Sequence, residues 1–250
     1  MLAPTLMLAT LRVGGVFLVA PAFASAALPW RLRVFASVVI GLAVAGCLGR
    51  TVSPDAGWSQ LAIAAVCELA IGATLGYAAR LVLTGVELGA LHIGHQVGFS
   101  LAEAFDPITP GTPGTIRRFL QFLAIVIFLC IGGHRMVIRA LLGTFDRIPI
   151  AGFSAEAKLL DMIVALLGAS FLLALKIAAP VLIAVLLAVA ALGLVQKTVP
   201  QCNTLSVGLP GRVIVGLLAL AASLAAAAGA IEGAFAFTFR RIGLLLSVLE

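Results

Sequence analysis

Leu91–Gln121, LHIGHQVGFSLAEAFDPITPGTPGTIRRFLQ, is the one long interruption in the middle of an otherwise apolar chain. Pro107, Pro110 and Pro113, with Gly111 and Gly114, cannot continue a helix. Each proline lacks a donor N–H and disfavours the αR conformation in the residue before it. On both sides lie apolar runs long enough to cross a membrane as helices. A Pro/Gly segment between two such runs is either a surface connection or a re-entrant element lining a cavity. Backbone polar groups at membrane depth must find water or protein.

The rest of the chain supports a membrane setting. Of its 250 residues 62% are hydrophobic and 10% are charged, and the mean hydropathy is +1.21. A soluble domain carries about 25% charged residues, so these charges cannot cover a water-facing surface. Short alternating segments of the β-barrel kind are not seen. The fold class expected is all-α and polytopic, built of long kinked helices and hairpins. Sixteen basic residues stand against ten acidic ones, a net charge of +6. They cluster near the ends of apolar runs, where they set orientation and meet lipid head groups, so nucleic acid is not an expected partner. Cys47, Cys67, Cys130 and Cys202 are far apart and show no C-x-x-C spacing, which indicates neither a zinc site nor a disulfide framework.

The first run, about Leu6 to Ala27, lacks a basic segment before it and holds Arg12 inside it. It is expected to be a retained helix and not a cleaved leader. Pro29-Trp30-Arg31-Leu32-Arg33 follows, then a second run from Val34 to Leu48. Leu61 to Leu101 is about twice the length one crossing needs and is expected to form two helices or one long bent one. Phe119 to Leu142 reads as a single run. Leu159 to Val195 is again too long for one straight crossing, and Pro180 should kink or break it. Gln196 to Arg212 is polar and proline-punctuated, and Val213 to Phe239 is the last run, closed by Arg240-Arg241. About six crossings are expected. The closing arginines favour a cytoplasmic C-terminus, whereas Arg31/Arg33 and Arg117-Arg118 pull the other way in a six-span count.

No serine elbow, phosphate loop or pair of catalytic carboxylates is present, so an enzyme is not expected. His92 and His95 share a helical face, yet no H-E-x-x-H arrangement accompanies them, and they read as polar contacts between helices. Glu68, Arg80, Glu87, Lys176 and Glu232 lie within apolar runs. A charge facing lipid costs about 2.5–3.5 kcal/mol even on the lenient insertion scale, so they should face protein, water or each other. Gly72/Gly76 and Gly85/Gly89 have the small-xxx-small spacing that lets helix backbones approach.

Four stretches in register resemble the FliR family of the flagellar export apparatus, the T subunit (SctT) of virulence type III secretion. They are Arg12 with Val19-Ala20-Pro21-Ala22-Phe23 and Pro29-Trp30-Arg31-Leu32-Arg33; Gly94-His95-Gln96-Val97-Gly98-Phe99-Ser100 running into Phe105-Asp106-Pro107; Phe128 through Gly133-His134 to Phe145 and Ile148-Pro149-Ile150; and Ala179-Pro180 with Gly193, Val199-Pro200-Gln201, Asn203 and Val207-Gly208-Leu209-Pro210. The last stretch also resembles the helical hairpin of the small Q subunit. The resemblance therefore implies a P-like part, 1–155 with its central loop at 103–118, followed by a Q-like hairpin part, 156–250.

It further implies an export gate in the bacterial inner membrane, at the base of a flagellum or injectisome and partly raised toward the periplasm. Such a gate is built with P-, Q- and B-type subunits and opened for unfolded protein substrates. Membrane lipids are further partners, and no cofactor is implied. On this reading the loop residues Asp106, Pro107, Pro110, Gly111, Pro113 and Gly114 project into the lumen as part of a plug. Phe99 and Phe105 form an apolar constriction beside it. Arg12, Glu68, Arg80, Glu87, Lys176, Pro200, Gln201 and Asn203 are candidate contacts with neighbouring subunits. The competing class is a secondary transporter with helices broken near Gly94–Gly98 and at Pro180, which would need an internal repeat that the sequence does not show.

Overall fold

The computed structural model of the chain describes residues 2–21, 23, 29–48, 57–99, 114–152, 157–198 and 204–248. Its elements are α1 (Leu2–Val19), α2 (Trp30–Leu48), α3 (Trp58–Val97), α4 (Thr115–Cys130), α5 (Gly133–Arg147), α6 (Ala157–Thr198) and α7 (Thr204–Val248). All regular structure among the described residues is helical.

Among the described residues, fewer helices are long and apolar enough to cross a bilayer than the about six crossings expected. Three helices are long and apolar enough to span a bilayer: α3, the stretch Asp161–Val195 of α6, and Gly208–Leu244 of α7. The pair α4 and α5 makes a fourth if the two count as one bent span. The first run stops at Val19, before Pro21, so α1 is only 18 residues long.

The stretch read as one run from Phe119 to Leu142 is two helices, bent by 62° between Cys130 and Gly133. Gly132 takes φ 71°, ψ 28°, a left-handed conformation that a residue with a Cβ resists. Its N–H donates to the Leu129 carbonyl at 3.0 Å and its own carbonyl accepts from Arg135 at 2.9 Å, so one residue ends α4 and starts α5. A Cβ on Gly133 would run into the Phe128 ring.

In contrast, the described part of the run that starts at Leu61 belongs to one helix of 40 residues, Trp58–Val97. It ends at Gly98, whose φ of 100° turns the chain away. Pro180 does not break α6, which continues through it for 42 residues. A lone proline removes one donor, and the carbonyl it frees is the only polar group left to be satisfied.

The chain divides into two compact units, one of Met1–Val82, Phe128–Leu167 and Phe235–Glu250, the other of Leu83–Ile127 and Gly168–Ala234. In the first unit α1 and the early part of α3 press backbone to backbone. A Cβ on Gly72 would overlap the Arg12 carbonyl, and one on Gly76 would sit 2.9 Å from the Ala20 nitrogen. Leu8, Val13, Val16, Leu141 and Phe145 are buried there, and Phe128 meets Phe235 at 5.1 Å between ring centroids. In the second unit α3 approaches α6 in the same way, Gly85 against Ser170 and Gly89 against Ala174. Ile93, Leu120, Ile177, Val181 and Ile231 fill its core. Both glycine pairs flagged by their spacing thus lie where backbones touch.

Candidate functional site

The most deeply buried polar group is in the first unit. Arg12, midway along α1, and Glu68, on the third turn of α3, are each fully buried. The guanidinium holds the carboxylate side-on. Nε donates to Oε2, and Nη2 donates to Oε1 at 3.0 Å. The remaining nitrogen, Nη1, reaches the end of α5 and donates to the carbonyls of Thr144 (3.0 Å) and Ile148 (3.2 Å). Thr144 lies in the last turn of α5 and Ile148 is its C-cap, where the backbone carries partial negative charge; the Thr144 carbonyl also accepts the Ile148 N–H at 2.9 Å. Phe145 lies beneath the guanidinium, 4.4 Å from Cζ to the ring centroid.

Glu68 completes its own shell at the turn after α5, where the Ala151 N–H donates to Oε1 at 3.0 Å. Each guanidinium nitrogen and each carboxylate oxygen of the pair therefore has a partner. A buried ion pair is tolerable on that condition. The arrangement joins three helices and offers nothing to a substrate.

A second polar group lies in the second unit. Glu87 on α3 accepts from Arg117 Nη2 at 3.2 Å and from Gln121 Nε2 at 2.8 Å, both on α4. The two charged side chains are partly exposed, 38% and 24%, so the bond is of the weaker, solvated kind. Phe99 and Gly114 flank the stretch 100–113, which lies outside the described residues. At those ends Phe99 and Thr115 line one apolar groove of about 370 Å³ with Phe119, Leu217 and Leu220.

The remaining candidates are placed as follows. Gly114 stands just before α4, its carbonyl accepting from the Arg118 N–H at 3.0 Å. Arg80 on α3 and Lys176 on α6 are exposed. Phe105, Asp106, Pro107, Pro110, Gly111, Pro113, Pro200, Gln201 and Asn203 lie outside the described residues. His92 and His95 are exposed on α3 and His134 is half-buried on α5. No three His, Cys, Asp or Glu side chains among the described residues gather to hold a metal. Sequence reasoning marked Arg12 and Glu68 singly and missed that they pair with each other. The only available signal was that each is a lone charge of opposite sign inside an apolar run.

Large parts of the helices remain uncovered by the chain itself. Of the apolar windows of α6 and α7, 22% is buried in each. Long apolar helices, internally neutralised charges and bare apolar faces define an all-helical, polytopic membrane protein. Comparison with known proteins refines that class. The chain belongs to the family described as Bacterial export proteins, family 1, which it matches over residues 3–238. It is similar to the flagellar biosynthetic protein FliR of Bacillus subtilis (strain 168), 25% identical over 252 residues, covering 99% of this chain and 96% of the relative. The FliR of Escherichia coli (strain K12) is 28% identical over 239 residues, 96% and 91% of the two chains. That of Aquifex aeolicus (strain VF5) is 28% identical over 220 residues, 88% and 85%.

Proposed function

We propose that the chain is a wall subunit of a flagellar or type III protein-export gate in the bacterial inner membrane, forming part of the passage for unfolded substrates. The observation that carries this reading is the end-to-end likeness to flagellar biosynthetic proteins named FliR, which spans 96% of the Bacillus relative's length. The bare faces of α6 and α7 support it, since a subunit of an assembly leaves apolar surface for its neighbours. The partners are P-, Q- and B-type export subunits, and the C-terminus lies in the cytoplasm. Residues 1–155 form the P-like part and 156–250 the Q-like hairpin part. That division rests on the likeness of the last stretch to a Q-type hairpin, and it cuts the chain differently from the two compact units.

In this proposal the loop with Asp106, Pro107, Pro110, Gly111, Pro113 and Gly114 stops the passage at rest. Phe99 and Phe105 narrow it beside the loop. Three prolines lower the entropy lost on holding such a loop in place, and its backbone is satisfied by water or protein in a lumen. Purification from native membranes in mild detergent tests the reading. P- and Q-type subunits are expected to accompany the chain. A chain that purifies alone and carries small solutes by itself is a transporter, and the proposal then fails.

A further inference from the structure

The two faces of α6 differ. Toward the core of the second unit it turns Leu173, Ala174, Ile177, Val181 and Val185, all buried. The opposite face leaves Phe171, Leu172, Leu175, Ile183, Leu186 and Leu187 exposed, with Lys176 among them. The ion pairs Arg12–Glu68 and Arg117–Glu87 do not involve Lys176. Pro180, one turn further and also exposed, brings no N–H to the carbonyl of Lys176. A single turn in an apolar stripe therefore presents an ammonium and an under-bonded carbonyl.

Lipid alone cannot cover this stripe. Exposed apolar side chains run from Val164 to Val195, about 46 Å of helix at ~1.5 Å per residue. The hydrocarbon core is about 30 Å thick. Fitting the whole stripe inside it needs a tilt of about 50°, beyond the roughly 0–40° that spanning helices show. Wherever α6 crosses, apolar surface on at least one side of Lys176 lies beyond the hydrocarbon and needs protein to cover it.

We propose that this face of α6 seats an apolar helix of another protein subunit, and that this helix sets an Asp or Glu carboxylate against the Lys176 ammonium. The carboxylate is required by charge complementarity. Once the neighbour excludes water, an unpaired ammonium is expensive and a second cation would repel it. The pair also fixes register, since apolar contact is non-directional and lets two smooth helices slide. The inference rests on the export-subunit reading for its setting, while the demand for a protein neighbour comes from the face itself.

The test uses the whole assembly in native membranes. A photo-reactive residue at Leu172, one turn from Lys176, is cross-linked and its products mapped. The expected adduct is to a membrane helix carrying Asp or Glu within a turn of the linked position. Lys176→Glu should then lower recovered assembly about tenfold, an amount set by one misplaced charge, with the chain still at parental level in the membrane. Placing Lys at the mapped acid should restore it. Where Lys176→Glu itself reduces chain level, Lys176→Met combined with acid→Met should assemble better than either single variant.

Adducts to phospholipid alone overturn the proposal. So does parental assembly with Lys176→Glu, or a loss that neither the reversed pair nor the double variant recovers. Failure of the export-subunit reading looks different: a mapped carboxylate on a second copy of this chain, with no other export subunit present.

Discussion

Arg12 of α1 and Glu68 of α3, 56 residues apart, form a two-point ion pair with side-chain exposures of 0% and 1%. The same guanidinium holds the last carbonyls of α5 through Nη1. One side chain thus ties together three helices drawn from distant parts of the chain. Its energetic role is asymmetric, because losing one partner leaves the other as a bare buried charge.

Glu68→Met is therefore expected to destabilise the protein by about 3–5 kcal/mol, and Arg12→Met by a similar amount. The double variant should cost less than the two singles added, since no charge is then left stranded. Thermal unfolding of the purified protein in detergent measures all three. Parental melting of Glu68→Met would rule out the brace.

Ala151 is the one described non-glycine residue with positive φ, 64°. It sits in the turn closed by the Gly152 N–H on the Pro149 carbonyl at 3.0 Å, and its own N–H serves Glu68. Ala151→Gly should relieve about 1 kcal/mol of backbone strain and raise the melting temperature. Ala151→Pro should lower it, because proline removes the donor and forces φ to about −65°. The reverse order would show that the turn is not strained.

Gly72 faces the Arg12 backbone with no room for a side chain. Gly72→Val should cost roughly 1–3 kcal/mol or more by forcing α1 and α3 apart. Gly168, which has nothing within 4 Å of a built Cβ, is the control. Gly168→Ala should be neutral or stabilise by about 0.5–1 kcal/mol. Equal responses at the two glycines, read as membrane levels and melting, would contradict the close approach.

The proposed plug gives a functional prediction. Pro110→Gly with Pro113→Gly raises the loop's conformational freedom, by about 0.4–1 kcal/mol per proline, without touching the described helices. The resting gate should then leak small solutes, detectable as dye or ion entry into cells carrying the variant complex. A double variant as tight as the parent removes the loop from the plug role.

The long helices were legible because uninterrupted apolar runs such as Leu61–Leu101 and Leu159–Val195 have few other folds available. Legibility failed where a single backbone conformation decided the outcome. The Gly132-Gly133 pair falls inside the stretch read as the single run Phe119–Leu142, and nothing local distinguishes a glycine that packs from one that turns left-handed. Pro180, expected to kink or break the run, does not break it, since a gap in a donor pattern need not end a helix. Of the charges marked inside apolar runs, Glu68 and Glu87 face partners within the chain, whereas Arg80, Lys176 and Glu232 are exposed. Which of them met which depended on folding that brings residue 12 to residue 144, and no spacing rule reaches that far. Glu87 shows the same limit: its partners Arg117 and Gln121 lie across the Pro/Gly stretch, where helix periodicity gives no register.

The wiring of Arg12 also imposes an order on biosynthesis. Its acidic mate leaves the ribosome early, whereas the carbonyls at Thr144 and Ile148 and the amide at Ala151 emerge some eighty residues later. A nascent chain that stalls before that point holds a half-dressed ion pair in greasy surroundings, without the carbonyls and the amide that complete it. Completion of the knot marks when the N-terminal helices can no longer be pulled apart cheaply.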